Sequence, residues 1–210
     1  MARRHISRIL DVPSDKMISS LVVTAAAFGL GVLMGFALAA SVNGGGGESL
    51  RAYLESYLEA AKKGMTGSAP LPQLIWETAR WPVLTILLSF TALGVVGIPI
   101  VFAARGFLLS FAVASFVRAF GGAGGGLAFL AFGMTSLLAV PALFVLGVQG
   151  FLTSRSLAAR ALGDGSAHGL FGRAYLTRCG ICAGVFSLAV MLDYWVVPAL
   201  LEAVSGGILA

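Results

Sequence analysis

Charged residues are scarce in this sequence. Only 11% of its 210 residues are Asp, Glu, Lys or Arg, whereas 58% are hydrophobic, and the mean hydropathy is +0.94. About a quarter of the residues of a soluble domain are charged, and a soluble fold could not bury so much apolar surface. The composition therefore excludes a soluble protein and predicts a single helical membrane domain over 1–210.

Cysteine and histidine are also scarce, with two of each. Cys179 and Cys182 are too few and too close together for a disulfide framework. His5 and His168 have no Glu or His at metal-ligand spacing, which excludes a zinc site built on either. We therefore expect no catalytic residue, no metal and no cofactor, and we interpret the chain as non-enzymatic.

Apolar segments fill most of the remaining sequence, and about five of them predict membrane crossings, judged against about 20 residues for one helix. The third is the shortest, so a re-entrant passage with four crossings is the alternative. The first exceeds the roughly 7–15 apolar residues of a signal peptide and is expected to be retained, with cleavage near Ala40 as the alternative. The segments are 18–42, 81–103, 106–120, 127–151 and 179–203.

Basic residues are distributed unevenly between the two sides that five crossings define. Most of the 14 Lys and Arg residues fall on the side of the N-terminus, including those of the loop 152–178. Short loops that carry Lys and Arg are retained in the cytoplasm. The pattern predicts a cytoplasmic N-terminus, a cytoplasmic loop over 152–178, an outer loop over 43–80 and a C-terminus outside.

The outer loop contains a helical pattern of its own. Leu50, Tyr53, Leu54, Tyr57 and Leu58 recur at helical spacing, with charged residues between them. This spacing predicts an extracytoplasmic amphipathic helix. Two interpretations stay open: the helix lies on the membrane surface or the bundle, or its tyrosine-bearing face binds a partner.

Small residues recur every four positions in the first and last segments. This spacing lets helix backbones approach closely, either within the chain or against the membrane helix of a partner, a second copy included. The residues are Ala27, Gly31, Gly35 and Ala39 in the first segment and Gly180 and Gly184 in the last.

Two further features mark the membrane segments. Gly97 and Pro99 interrupt the second segment and predict a helix break or kink there. Arg118 and Asp193 are expected at a similar depth, where an unpaired charge costs at least about 2.5–3.5 kcal/mol. We therefore predict a structural Arg118–Asp193 pair, and charges that line a transport pathway are the alternative.

Motifs run through the central part of the sequence, over about 97–157. They are Gly97-Ile98-Pro99, Arg105-Gly106-Phe107, Ala119-Phe120-Gly121, and Thr135-Ser136-Leu137 leading to Pro141 and on through Val148 to Ser156. This series resembles the stage II sporulation protein M family of membrane proteins. In that family a Gly-x-Pro break precedes a basic residue with glycine, a short apolar run and a glycine-containing bend. The sequence departs at Met134-Thr135-Ser136, where the sporulation member has Pro-Gln-Asn.

The resemblance implies a role in engulfment of the forespore. Proteins of this family form a membrane complex with stage II sporulation proteins D and P, which cleave peptidoglycan. A non-enzymatic scaffold in the bacterial cytoplasmic membrane, surrounded by lipid and without nucleic acid, is the expected function. The alternative is a transporter or channel subunit that uses the broken second segment and the buried charges.

Overall fold

The computed structural model describes residues 14–41, 52, 56, 71–163 and 173–208. No strand occurs in these ranges, so the predicted all-α class is confirmed. The helices are α1 (Ser14–Ser41), α2 (Leu71–Ser89), α3 (Gly94–Ala128), a π-helical segment (Phe129–Gly133), α4 (Met134–Ala161) and α5 (Arg173–Ile208).

Four of these helices are long and apolar enough to cross a membrane. They contain the stretches Lys16–Ser41, Gly94–Gly122, Met134–Ala161 and Tyr175–Val196. Their outward faces are apolar: on α1, Leu33 is 68% exposed and Met34 is 66% exposed. Acyl chains solvate such a surface, whereas water does not. The chain is therefore a multi-pass helical membrane protein.

Helices α3 and α4 form an antiparallel hairpin, and α5 returns along α4. The ring centroids of Phe102 and Phe144 lie 4.9 Å apart. Further along the hairpin, those of Phe116 and Phe132 lie 5.6 Å apart. The thiol of Cys182 donates a hydrogen bond to the carbonyl of Ala142 at 3.5 Å and joins α5 to α4.

Helix α1 packs along α3 in the most extensive helix contact of the described chain. The two backbones approach closely because glycines lie between them. A Cβ at Gly31 would overlap the carbonyl of Ala103, and one at Gly35 would overlap that of Phe107. Residue numbers rise together along this contact, so α1 and α3 run parallel.

Helix α2 runs antiparallel to α3 and α5. The guanidinium of Arg105 lies 5.5 Å from the centre of the Trp81 ring, and the hydroxyl of Tyr175 at the start of α5 lies 2.9 Å from that of Ser89 at the end of α2. Helices α1, α3 and α5 therefore point one way, and α2 and α4 point the other.

The helix break lies earlier than the sequence predicted. Helix α2 ends at Ser89, a turn covers 90–93, and α3 begins at Gly94. Gly97 and Pro99, where the break was expected, therefore lie within the first two turns of α3, and the helix stays continuous across the proline.

Close packing explains why the break falls before Gly94. A Cβ at this residue would overlap the carbonyl of Leu88 and the hydroxyl of Ser154. The turn is closed by a hydrogen bond from the Gly94 N–H to the Thr91 carbonyl at 3.2 Å. A tight turn between two packed helices thus needs a residue without a side chain.

The second and third predicted segments are not two separate helices. Residues 81–89 belong to α2, whereas 94–103 and 106–120 belong to the single helix α3. Arg105, which the sequence placed in a loop, lies inside α3. The ends of the predicted cytoplasmic loop are helical as well, since α4 continues to Ala161 and α5 begins at Arg173.

Gly121 makes the bend of the hairpin. Its φ of 60° and ψ of −136° are non-helical, and this conformation is open essentially to glycine alone. Five of the six residues 121–126 are glycine, a composition that favours irregular backbone over a helix. Instead the helix resumes after Gly121 and turns back, since a Cβ at Gly124 would overlap the carbonyl of Phe116.

Candidate functional site

A group of polar and ionisable side chains lies inside the bundle, between α2, α3, α4 and α5. We call Trp81, Arg105, Thr135 and Asp193 the central polar cluster. Arg105 lies about 16 Å along α3 from Gly94 at a rise of about 1.5 Å per residue, near the middle of the apolar stretch Gly94–Gly122. Ionisable residues at such a depth are rare and usually functional.

Asp193 accepts a hydrogen bond from the hydroxyl of Thr135. It also lies within electrostatic range of Arg105 and Glu77, but it forms no direct ion pair with Arg105 among the described contacts. Thr135 is the second residue of α4, directly after the π-helical segment Phe129–Gly133. Such segments are frequent at functional sites because they interrupt the regular helix ladder.

The indole of Trp81 lies near both Arg105 of the cluster and Arg80 on the exposed surface of α2. The guanidinium groups of Arg80 and Arg105 lie 5.2 Å and 5.5 Å from the centre of its ring, within the range of cation–π attraction. The side chain of Trp81 is only 9% exposed. Its Nε1 is buried and has no hydrogen-bond partner among the residues that the structure describes.

One face of α2 is polar from Gln73 as far as Arg80. Gln73, Glu77 and Arg80 are exposed and recur at the spacing of a single helix face. The amide of Gln73 donates to the carboxylate of Glu77 at 3.3 Å. Helix α2 is not among the four apolar candidate spans, and this polar face distinguishes it from them.

The predicted Arg118–Asp193 pair is not among the contacts of the described residues. Arg118 donates to the carbonyl of Ala39 on α1, whereas Asp193 is bonded to Thr135. A backbone carbonyl inside the bundle accepts from the guanidinium of Arg118, and a hydroxyl inside the bundle donates to the carboxylate of Asp193. These two contacts take the place of the predicted ion pair. The charge that approaches Asp193 is Arg105.

A second set of polar side chains forms hydrogen bonds between helices at one end of the bundle. Ser89 on α2 and Tyr175 on α5 share a hydrogen bond of 2.9 Å. The hydroxyl of Ser154 on α4 donates to the carbonyl of Leu88 at 3.1 Å. These bonds tie α2, α4 and α5 together where hydrophobic packing alone is weak between membrane helices, so we assign them a structural role.

The two sets of small residues lie in different surroundings. On α1, Gly31, Gly35 and Ala39 are buried against α3, with Ala27 half-buried beside them. On α5, Gly180 and Gly184 are exposed, and a Cβ at either would meet no atom of the described residues within 4 Å. The first set is therefore a contact within the chain, whereas the second is an open face.

The predicted partner-binding residues of the outer loop, Leu50, Tyr53, Leu54, Tyr57 and Leu58, lie outside the described residues. Ala52 and Ser56, which lie between them in the sequence, are described and are helical. The predicted amphipathic helix therefore stays a prediction.

Sequence reasoning missed Trp81 and Arg105 as members of one site. In the sequence, Trp81 marks only the start of the apolar segment 81–103, and Arg105 lies between this segment and the next. The pattern of α2 is the signal that could have revealed the surroundings of Trp81. Gln73, Glu77 and Arg80 lie on one helix face that leads towards Trp81, which indicates that this helix begins well before residue 81.

The arrangement can bind charge, but it has no recognisable catalytic constellation. Among the described residues no group of three His, Cys, Asp or Glu side chains could hold a metal ion. Cys179 and Cys182 are free thiols, and Cys182 packs inside the bundle between α5 and α4.

Comparison with known proteins found no matching family model, no matching curated protein and no matching solved structure.

Proposed function

We propose that this chain is a non-enzymatic scaffold of a bacterial cytoplasmic membrane. In this proposal it anchors and localises peptidoglycan-remodelling enzymes during forespore engulfment, with stage II sporulation proteins D and P as its partners. The proposal rests on the resemblance of 97–157 to the stage II sporulation protein M family. That segment largely coincides with the α3–α4 hairpin, around which α1, α2 and α5 are packed.

The observation that supports a scaffold most directly is the open face of α5. Gly180 and Gly184 have empty space around them, and the exposed side chains of Ile181 and Leu188 lie nearby. A partner's membrane helix could approach this backbone as closely as α1 approaches α3.

The proposed topology has five crossings, with the N-terminus inside and the C-terminus outside. Helices α1, α3 and α5 point one way, so α2 must return across the membrane between α1 and α3. The end of the bundle that holds the start of α1 and the end of α4 carries Lys16, Arg155 and Arg160. This concentration of basic residues supports a cytoplasmic location for that end.

Affinity purification of the tagged chain from its native membranes tests the scaffold. Peptidoglycan-cleaving membrane proteins should co-purify with the intact chain. A chain that lacks Leu50–Ala61 should lose them if the outer loop binds these partners, while a Gly184→Leu chain should lose them if the α5 face does. Recovery of no wall-remodelling protein with the intact chain would contradict the scaffold.

A transporter or channel subunit is the second candidate, and the central polar cluster favours it. Arg105 lies inside an apolar helix, and Asp193 is hydrogen-bonded to Thr135 directly after the π-helical segment; charges within membrane helices often mark pathways. Flux of a charged solute into proteoliposomes tests this candidate. Loss of that flux in Asp193→Asn, with thermal stability unchanged, would support a pathway over a structural role.

A further inference from the structure

The central polar cluster contains two strong hydrogen-bond donors that have no acceptor among the described residues. Trp81 Nε1 is buried and has no hydrogen-bond partner in the described part of the chain. The Arg105 guanidinium stacks near the same indole and makes no hydrogen bond or ion pair with any residue that the structure describes. A buried donor left unsatisfied costs about 1–3 kcal/mol, and a charged one costs more. Trp81 Nε1 is such a donor, and the half-buried guanidinium of Arg105 lies beside it, which indicates that an acceptor from outside the described chain fits this site.

The charges around these donors determine what kind of acceptor fits. Arg80 and Arg105 both lie near the Trp81 ring, and the carboxylate of Glu77, one turn before Trp81, accepts a hydrogen bond from Gln73, so the Trp81 side of the cluster has a net positive charge. The negative charge of Asp193 lies on the α4 side, where Thr135 donates to it. A ligand on the Trp81 side would therefore meet two guanidinium groups and an indole N–H, a set of donors without an acceptor, which suits an oxyanion.

The depth of the site favours a soluble ligand over a lipid headgroup. Arg105 lies near the middle of its apolar stretch, whereas phosphate headgroups lie outside a hydrocarbon core of about 30 Å. The polar face of α2, with Gln73, Glu77 and Arg80 exposed, leads along the helix to Trp81. It provides a route along which a charged group could reach the cluster.

We propose that Trp81 and Arg105 bind the carboxylate or phosphate group of a small anionic ligand, which reaches them along the polar face of α2. The planar guanidinium and the indole N–H would donate to oxygens of one oxyanion. The site does not depend on the scaffold function, because it uses the interior of the bundle and neither the outer loop nor the α5 face.

Fluorescence of Trp81 in the full chain tests the site. Trp76→Phe and Trp195→Phe leave Trp81 as the only tryptophan, and the protein is held in phosphatidylcholine nanodiscs. Benzoate and inorganic phosphate are the soluble probes, and nanodiscs with added phosphatidylglycerol test a lipid phosphate. We expect a saturable change in emission with at least one soluble probe.

Substitutions identify the binding groups. In the same background, Arg105→Gln should raise the Kd of the responding probe by about 10-fold to 100-fold, as expected for loss of charged hydrogen bonds. Arg155→Gln, which changes an exposed arginine on α4, should leave the Kd unchanged. If Arg105→Gln does not fold, Arg105→Lys serves instead and should also weaken binding, because lysine lacks the planar fork of donors.

The outcomes separate the ligand sources. A response to phosphatidylglycerol alone would support the oxyanion site but would overturn its assignment to a soluble ligand. The absence of a saturable response to any of the three probes, or an equal Kd in Arg105→Gln and the parent chain, would overturn the site itself. Either result leaves the co-purification test of the scaffold unaffected.

Discussion

Asp193 shows which contacts this bundle offers to an ionisable side chain. Its carboxylate accepts a hydrogen bond from Thr135 and lies in the field of Arg105, so the nearest helices supply both a donor and an opposite charge. Thr135 lies in the stretch Met134-Thr135-Ser136, and this stretch contacts α5 through a threonine–aspartate hydrogen bond.

Thr135→Val tests this contact. The valine keeps the shape of the side chain but removes the donor, so we expect the free energy of unfolding to fall by about 0.5–2 kcal/mol. Unfolding by sodium dodecyl sulfate in mixed micelles measures it. Thr91→Val is the matched control, because that exposed hydroxyl bonds only to its own turn, at the Leu88 carbonyl. Equal losses in both variants would contradict an interhelical role for Thr135.

At this scale the sequence predicted which residues would be costly to bury but not their partners. It predicted a charged partner for Asp193 and chose Arg118, because depth was counted from predicted segment ends. The partner is Thr135, 58 positions away in sequence, and no local pattern connects the two. Arg105 falls between two predicted segments because its charge interrupts the apolar pattern, and its contact with Trp81 is also distant in sequence.

Glycine has two different uses among the helices, and substitutions separate them. Gly31→Leu should lower the free energy of unfolding by about 1–3 kcal/mol or more, since its side chain would force α1 from α3. Gly184→Leu should leave the stability of the isolated chain nearly unchanged, because nothing lies within 4 Å of a Cβ there. Detergent unfolding of both variants measures the difference. Equal destabilisation would show that the α5 face is packed after all.

The bend of the α3–α4 hairpin gives a second matched pair. Gly121→Ala should cost about 1–3 kcal/mol, because alanine is strained at a φ of 60°. Gly122→Ala should be neutral or stabilising by up to about 1 kcal/mol, because this neighbour is helical and has open space around it. Thermal unfolding in micelles compares the two. A Gly121→Ala chain as stable as the parent would argue against the bend at this residue.

The element boundaries show where hydropathy succeeds and where it fails. The predicted segments 18–42, 127–151 and 179–203 each overlap one long helix, because long apolar runs have no alternative to a helix in lipid. The pair 81–103 and 106–120 was divided wrongly. The hydropathy pattern predicts a segment boundary at Arg105, and Gly97 with Pro99 predicts a helix break. In the structure the turn instead precedes Gly94, where close packing leaves no room for a side chain.

For the whole molecule, the sequence predicted the membrane class and the all-α fold, and the structure supplies the direction of each helix. Four helices of the described chain are apolar enough to cross a membrane. Helix α2 carries a polar face, which lowers its mean hydropathy. In the proposed topology of five crossings, α2 returns between α1 and α3, in keeping with the alternating directions of the helices. The central claim is that this less apolar helix crosses the membrane and makes the number of crossings odd.

Labelling of single cysteines from the outside of intact cells tests that claim most directly. Ser14→Cys at the start of α1 and Ser205→Cys near the end of α5 are placed singly in a Cys179→Ala/Cys182→Ala chain, and each is exposed to a membrane-impermeant maleimide before and after permeabilisation. Five crossings predict that residue 205 is labelled in intact cells and that residue 14 is labelled only after permeabilisation. Labelling of both positions, or of neither, in intact cells would place the two ends on one side and contradict the account.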